Sequence, residues 1–155
     1  MRGLLPTGVV VASVMMVMGC ATGKPAMSTA DAIAKRQQLM KDQGAALRSI
    51  TEKAKAGQVE AIAVDADKLA KTAKDITPLF PPNSLDPNVS RAKPEIWQKW
   101  SEFETAAKTL ETRATQLAAT AKTGDATKTN AALSDFGKVA CGSCHTPFRG
   151  PEIKK

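Results

Sequence analysis

Three side chains near the C-terminus carry the chemistry of this chain: Cys141 and Cys144, three residues apart, and His145 directly after the second thiol. On a helix, positions i, i+3 and i+4 share one face, so a single turn presents two sulfurs and an imidazole side by side. The spacing Cys-x-x-Cys-His is that of covalent c-type haem attachment, with two thioethers and one iron ligand drawn from the same turn. A proximal imidazole then leaves the opposite axial position to define what the iron does. Two other chemistries use paired thiols. A thioredoxin-like redox pair belongs in a βαβ setting, which the flanking sequence does not show. A zinc site normally has four ligands, and with Cys20 set aside the chain offers two cysteines and one histidine.

The elements that must position this turn are helices. Apolar residues recur at steps of three and four in four stretches, and no stretch alternates at period two. The first helix is predicted from Thr29 to Ala56, through Ile33, Met40, Leu47, Ile50 and Ala54, and stops at Gly57. The second runs from Gln58 to Asp75 with a seam of Val59, Ile62, Ala66, Leu69, Ala73 and Ile76. Residues 77–93 hold Pro78, Pro81, Pro82 and Pro87 and read as a long crossover loop. Pro94 suits a first helical turn and opens the third helix, whose stripe is Ile96, Trp100, Phe103, Ala107, Leu110, Ala114, Leu117 and Ala121. Gly124 and Asp125 end it and cap the fourth, predicted from Ala126 to Phe148 through Leu133, Phe136, Ala140 and Cys144. The expected fold class is therefore all-α, an antiparallel four-helix bundle with covalently bound haem. Aromatic residues are few, four Phe and two Trp with no Tyr, whereas alanine is abundant. Alanine faces leave little apolar volume, so the haem-free chain is expected to be loosely packed.

The N-terminus reads as an export signal, with Arg2 followed by an apolar stretch from Val9 to Met18 that is short for a membrane span. Val17-Met18-Gly19-Cys20 resembles a bacterial lipobox, which gives residues 1–19 as a lipoprotein-type signal peptide and Cys20 as the lipidated first residue. Residues 20–28, with Gly23, Lys24 and Pro25, then form a tether, and residues 29–155 form one cytochrome domain. Ordinary signal cleavage, giving a soluble periplasmic protein, is the competing reading. The formal charge is +7, with acids interspersed among the bases along the helices. That pattern suits an acidic redox partner or anionic lipid headgroups and argues against nucleic acid.

A haem motif at the C-terminal end of a four-helix bundle resembles the cytochrome c prime family, or class II c-type cytochromes. The likeness extends over Arg36-Gln-Gln-Leu-Met40-Lys, Leu79-Phe80-Pro81-Pro82, Pro94-Glu-Ile-Trp97 and Gly137-x-x-x-Cys141-x-x-Cys144-His145-x-x-x-Arg149. The resemblance implies one haem c, held by Cys141 and Cys144 with His145 as proximal iron ligand. It also implies that Met40, four residues after Arg36, faces the distal side. Members with an aliphatic residue there resemble five-coordinate binders of nitric oxide or carbon monoxide. Methionine there marks a six-coordinate branch suited to electron transfer, because a thioether has a lone pair and a flexible stem. Outside the signal peptide the other methionine is Met27, in the tether. Arg36 and Arg149, one turn from Met40 and His145, are offered as contacts to the haem propionates. Trp97, Trp100 and Phe103 are expected as core and haem-packing residues, and Gly137 as a point of close approach. The implied protein is a periplasmic monohaem electron carrier and not an enzyme, monomer or homodimer, working with periplasmic or membrane-bound redox proteins. The alternatives are a gas-binding cytochrome, a peroxidase-like enzyme, for which no free distal histidine is present, and a haem-free thiol oxidoreductase.

Overall fold

Helix α1 (Thr29–Lys55) begins where the Ser28 side chain accepts from the Asp31 amide at 3.1 Å, with Asp31 in the first turn and Lys53 and Lys55 in the last complementing the helix dipole. The computed structural model describes residues 27–153, so the expected signal peptide, Cys20 and the tether as far as residue 26 lie outside the described residues. Gly57, at φ +69°, takes the left-handed conformation that ends α1 where the sequence places the stop.

Helix α2 (Ile62–Ala73) is shorter than expected. Residues 58–61 form turns instead, in which the Ile62 amide donates to Val59 O and the Ala63 amide to Glu60 O, both at 3.1 Å. The reversal at Gly57 consumes these residues before α geometry resumes, and no side chain caps the start. The seam survives, with Ile62, Ala66, Leu69, Ala73 and Ile76 all buried and Val59 half-buried. A 3-10 turn at Thr77–Leu79 then leads into the crossover.

Pro94 opens helix α3 (Glu95–Gln98), which breaks at Lys99 (φ −122°, ψ 48°) before helix α4 (Trp100–Ala121). The expected single third helix is thus two pieces. The short piece is held to the crossover, since Trp97 Nε1 donates to Phe80 O at 3.2 Å and to Pro81 O at 3.1 Å, while Ile96 turns into the core. Gly124, at φ +71°, ends the α4 region, and Asp125 caps helix α5 (Ala126–Leu133) by accepting from the Lys128 amide at 2.9 Å. The fourth helix is not continuous either. It passes through a π-helical turn at Gly137–Cys141 before helix α6 (Gly142–Phe148).

Helix α4 is the centre of the bundle, packed on α2, α5, the π turn and α6, while α1 packs chiefly on α2. Among the described residues, eleven of the twenty-three buried apolar side chains are alanine, which brings the helices close but leaves the bulk to a few large side chains. Among the described residues there is no strand, and an isolated antiparallel bridge joins Ala92 to Arg149. No described helix is long and apolar enough to cross a membrane.

Candidate haem-attachment site

The π turn places the reactive trio. The Gly142 amide donates to Gly137 O, an i→i+5 bond, and Cys141, Cys144 and His145 follow on one half-buried turn. Phe136 and Phe148, at 1% and 3% exposure, anchor either end of this turn in the core. Both thiols are free. Burial pushes the Cys141 thiol up, and burial with the neighbouring Cys141 pushes Cys144 up to about 11, so both are protonated at neutral pH. Burial lowers His145, and the charges of Arg149 and Arg91 lower it further. A neutral imidazole keeps a nitrogen lone pair free for a metal. A Cβ built at Gly137 meets no protein atom within 4 Å, so packing between the helices does not itself require glycine there.

Met40 lies on α1, half-buried against the core, and Cys144 borders the same core. Arg36, one turn earlier, is only 3% exposed. Its guanidinium is caged by the crossover: Nη2 donates to Ser84 O at 2.8 Å and Ser90 Oγ at 3.0 Å, and Nη1 to Ser84 Oγ at 3.3 Å. Its Cζ sits 4.8 Å from the centre of the Phe80 ring. Nε has no partner, and burial pushes the group below its ordinary value. Arg149 is exposed; its amide donates to His145 O at 3.1 Å.

Phe103 joins these parts. Its ring centroid is 4.8 Å from Phe80, 5.6 Å from Trp100 and 5.4 Å from Phe148, so one side chain links the crossover, α4 and the end of the haem-motif turn. Ser84, Ser90 and Phe148 were not singled out from the sequence. The serines lie 48 and 54 residues from Arg36, where no local spacing reports them. Phe148 continues the four-residue step from Phe136 through Ala140 and Cys144, a signal that was available.

These residues fit a covalently attached haem. Two thiols and a neutral imidazole share one turn, and α1, with Met40, is not among the elements closely packed on that turn. A buried cation with an unused Nε faces no carboxylate. Among the described residues no three His, Cys, Asp or Glu side chains come together as a protein-only metal site.

An all-α bundle ending in a Cys-x-x-Cys-His turn defines a class II c-type cytochrome. The family model described as Cytochrome C' matches residues 31–149, and the chain belongs to that family. Cytochrome c-556 of Rhodopseudomonas palustris is 34% identical over 142 residues, 84% of this chain and 91% of that protein. Cytochrome c-556 of Agrobacterium tumefaciens is 31% identical over 120 residues, 76% of this chain and 95% of that protein. Cytochrome c' from Thermochromatium tepidum superposes with a TM-score of 0.69 at 30% identity, covering 82% of this chain and all of that one. A nitric oxide complex of a mutant cytochrome c prime from Alcaligenes xylosoxidans does so at 0.69 and 25% identity, over 80% of this chain and 98% of that one. The chain is therefore a c-type haem protein with one covalently bound haem c, an electron carrier or a gas-binding cytochrome.

Proposed function

We propose that this protein is a periplasmic one-electron carrier, with the thioethers at Cys141 and Cys144 and with His145 and Met40 as the axial pair. The observation that carries this reading is a half-buried Cys-x-x-Cys-His turn together with a half-buried methionine on the long helix that does not pack closely on that turn. The bound haem supplies an iron that gains and loses one electron, at a potential raised by methionine ligation. His145 is kept neutral by burial and by its arginine neighbours, which suits it to bind a metal. Met40 offers a soft sulfur on a stem with three rotatable bonds. Arg36 holds a positive charge in the interior with Nε unused, which suits a buried propionate, and Arg149 is assigned to the second. No side chain is assigned as a catalytic acid, base or nucleophile, as fits a carrier rather than an enzyme.

Residues 1–19 serve in this reading as a lipoprotein-type signal peptide, Cys20 as the lipid-bearing residue, and 20–28 as the tether of a single domain at 29–155. The anchor holds the protein at the membrane surface, near periplasmic or membrane-bound redox partners, as a monomer or homodimer. The solved nitric oxide complex of a relative supports a second reading, in which Met40 does not ligate and the distal site takes nitric oxide or carbon monoxide.

The visible spectrum of the holoprotein and of its Met40→Leu variant separates the two. A low-spin spectrum with a weak sulfur-to-iron band in the red, lost in Met40→Leu, supports the carrier. A high-spin spectrum of the unaltered protein, converted by carbon monoxide on reduction, moves the conclusion to gas binding.

A further inference from the structure

The crossover is bonded to both of the elements that carry Met40 and His145, although these two are not closely packed on each other. From α1, Arg36 reaches Ser84 and Ser90, and Gln37 Nε2 donates to Val89 O at 2.7 Å. Toward the haem-motif end, the Lys93 amide donates to Phe148 O at 3.1 Å and the Gly150 amide to Arg91 O at 2.7 Å. Arg91 Nε donates back to Gly150 O at 2.9 Å. The two halves meet at Ser90 Oγ, which accepts from Arg36 Nη2 at 3.0 Å and from the Ala92 amide at 3.2 Å. Ala92 is in turn bridged to Arg149, whose amide donates to His145 O.

Another route between α1 and α6 runs through α2 and α4, across faces rich in alanine. Such contacts are non-directional. The crossover route is made of directional bonds, and one end rests on a buried cation.

We infer that Arg36 and Ser90 are positioning residues that clamp the crossover and fix the span between the Met40 helix and the His145 turn. Through that span they govern how firmly the Met40 sulfur is held, since a flexible thioether ligates only where the fold keeps it within reach. The ligation part rests on the carrier reading; the mechanical part does not.

The test is Ser90→Ala in the holoprotein, followed by amide hydrogen exchange and by carbon monoxide titration of the reduced form. Loss of the bridging hydroxyl should speed exchange at Lys93 and Gly150 by about tenfold while leaving Leu110 and Leu117 in α4 unchanged. It should tighten carbon monoxide binding by about tenfold as Met40 competes less well. Unchanged exchange at Lys93 and Gly150, or an equal rise at every amide including Leu110, overturns the clamp. Faster exchange with unaltered carbon monoxide affinity, where Met40→Leu has abolished the red band, overturns the link to ligation. If Met40→Leu leaves the spectrum unchanged, the carrier reading falls and exchange alone judges the clamp. Arg36→Lys, which keeps the charge but replaces the planar fork and its Nη1 bond to Ser84 Oγ with a shorter point donor, serves with the same exchange readout if Ser90→Ala fails to fold.

Discussion

Replacing Arg36 with Met in the holoprotein tests whether the interior of this bundle holds an anion. The side chain is 3% exposed, and its bonds to Ser84 O and Ser90 Oγ, at 2.8 and 3.0 Å, are the two of good length. Hydrogen bonds to a charged group contribute about 1.5–3 kcal/mol each. The guanidinium over Phe80 at 4.8 Å adds about 1–2 kcal/mol when desolvated. Against this stands the cost of burying an ion, about several kcal/mol even after relaxation. With only neutral partners the bonding gain and the desolvation cost nearly cancel, and Arg36→Met should cost about 1–3 kcal/mol for the buried Ser84 and Ser90 acceptors it leaves without that donor. With a propionate on Nε, removing the cation strands a buried carboxylate, and the loss rises to about 3–5 kcal/mol. Urea denaturation of both holoproteins, compared by midpoint and slope, reads the difference. A loss of about 3–5 kcal/mol is expected; a loss below about 3 kcal/mol at unaltered slope refutes the propionate assignment.

Phe103→Ala should cost about 3–5 kcal/mol by the same measurement, since the ring is buried and supports three other aromatics; a cost under about 1 kcal/mol would show that the cluster does not depend on it. Burial pushes the Asp65 carboxyl up, but bonds from Lys53 at 2.6 Å and Ser49 at 2.7 Å bring it net below its ordinary value. Its ionised form therefore stabilises the α1–α2 contact above the unfolded pKa of about 3.9, and that stability is lost as pH falls through the lowered folded value. The stability gap between the protein and Asp65→Asn should shrink below about pH 4, and a pH-independent gap would contradict the assignment. The haem-free double variant Cys141→Ser/Cys144→Ser should retain helical far-ultraviolet dichroism but lose near-ultraviolet signal and cooperative melting, because so much of the core is alanine. Sharp near-ultraviolet bands without haem would show that the chain packs unaided.

What could be read from the sequence was written locally. Gly57 and Gly124 ended helices because a left-handed residue needs no Cβ, and Asp125 capped α5 because its carboxylate reaches an amide three residues on. The stripe from Ile96 to Ala121 could be read because side chains repeat on one face regardless of the break at Lys99. Arg36 could not be placed in this way. Its cage is built from residues about fifty positions away, inside a proline-rich loop whose path depends on Trp97 holding the carbonyls of Phe80 and Pro81. The haem motif itself was legible as residue types, whereas its orientation was not.

That orientation follows from the spacing of the buried face. Phe136, Ala140, Cys144 and Phe148 are four apart, and in an α-helix each such step overshoots a full turn by about 40°, or about 120° over the three steps. A regular helix would carry Phe148 well away from the face that Phe136 occupies. The wider i→i+5 turn at Gly137–Cys141 takes up part of this excess, and both phenylalanines are buried. The break in the fourth helix is thus the means by which Cys141, Cys144 and His145 stay half-buried between two aromatic anchors. Gly137 and Gly142 bound the turn and close it through the bond from the Gly142 amide to Gly137 O, so the motif's aim is set in part by residues that contribute no reactive atom to it.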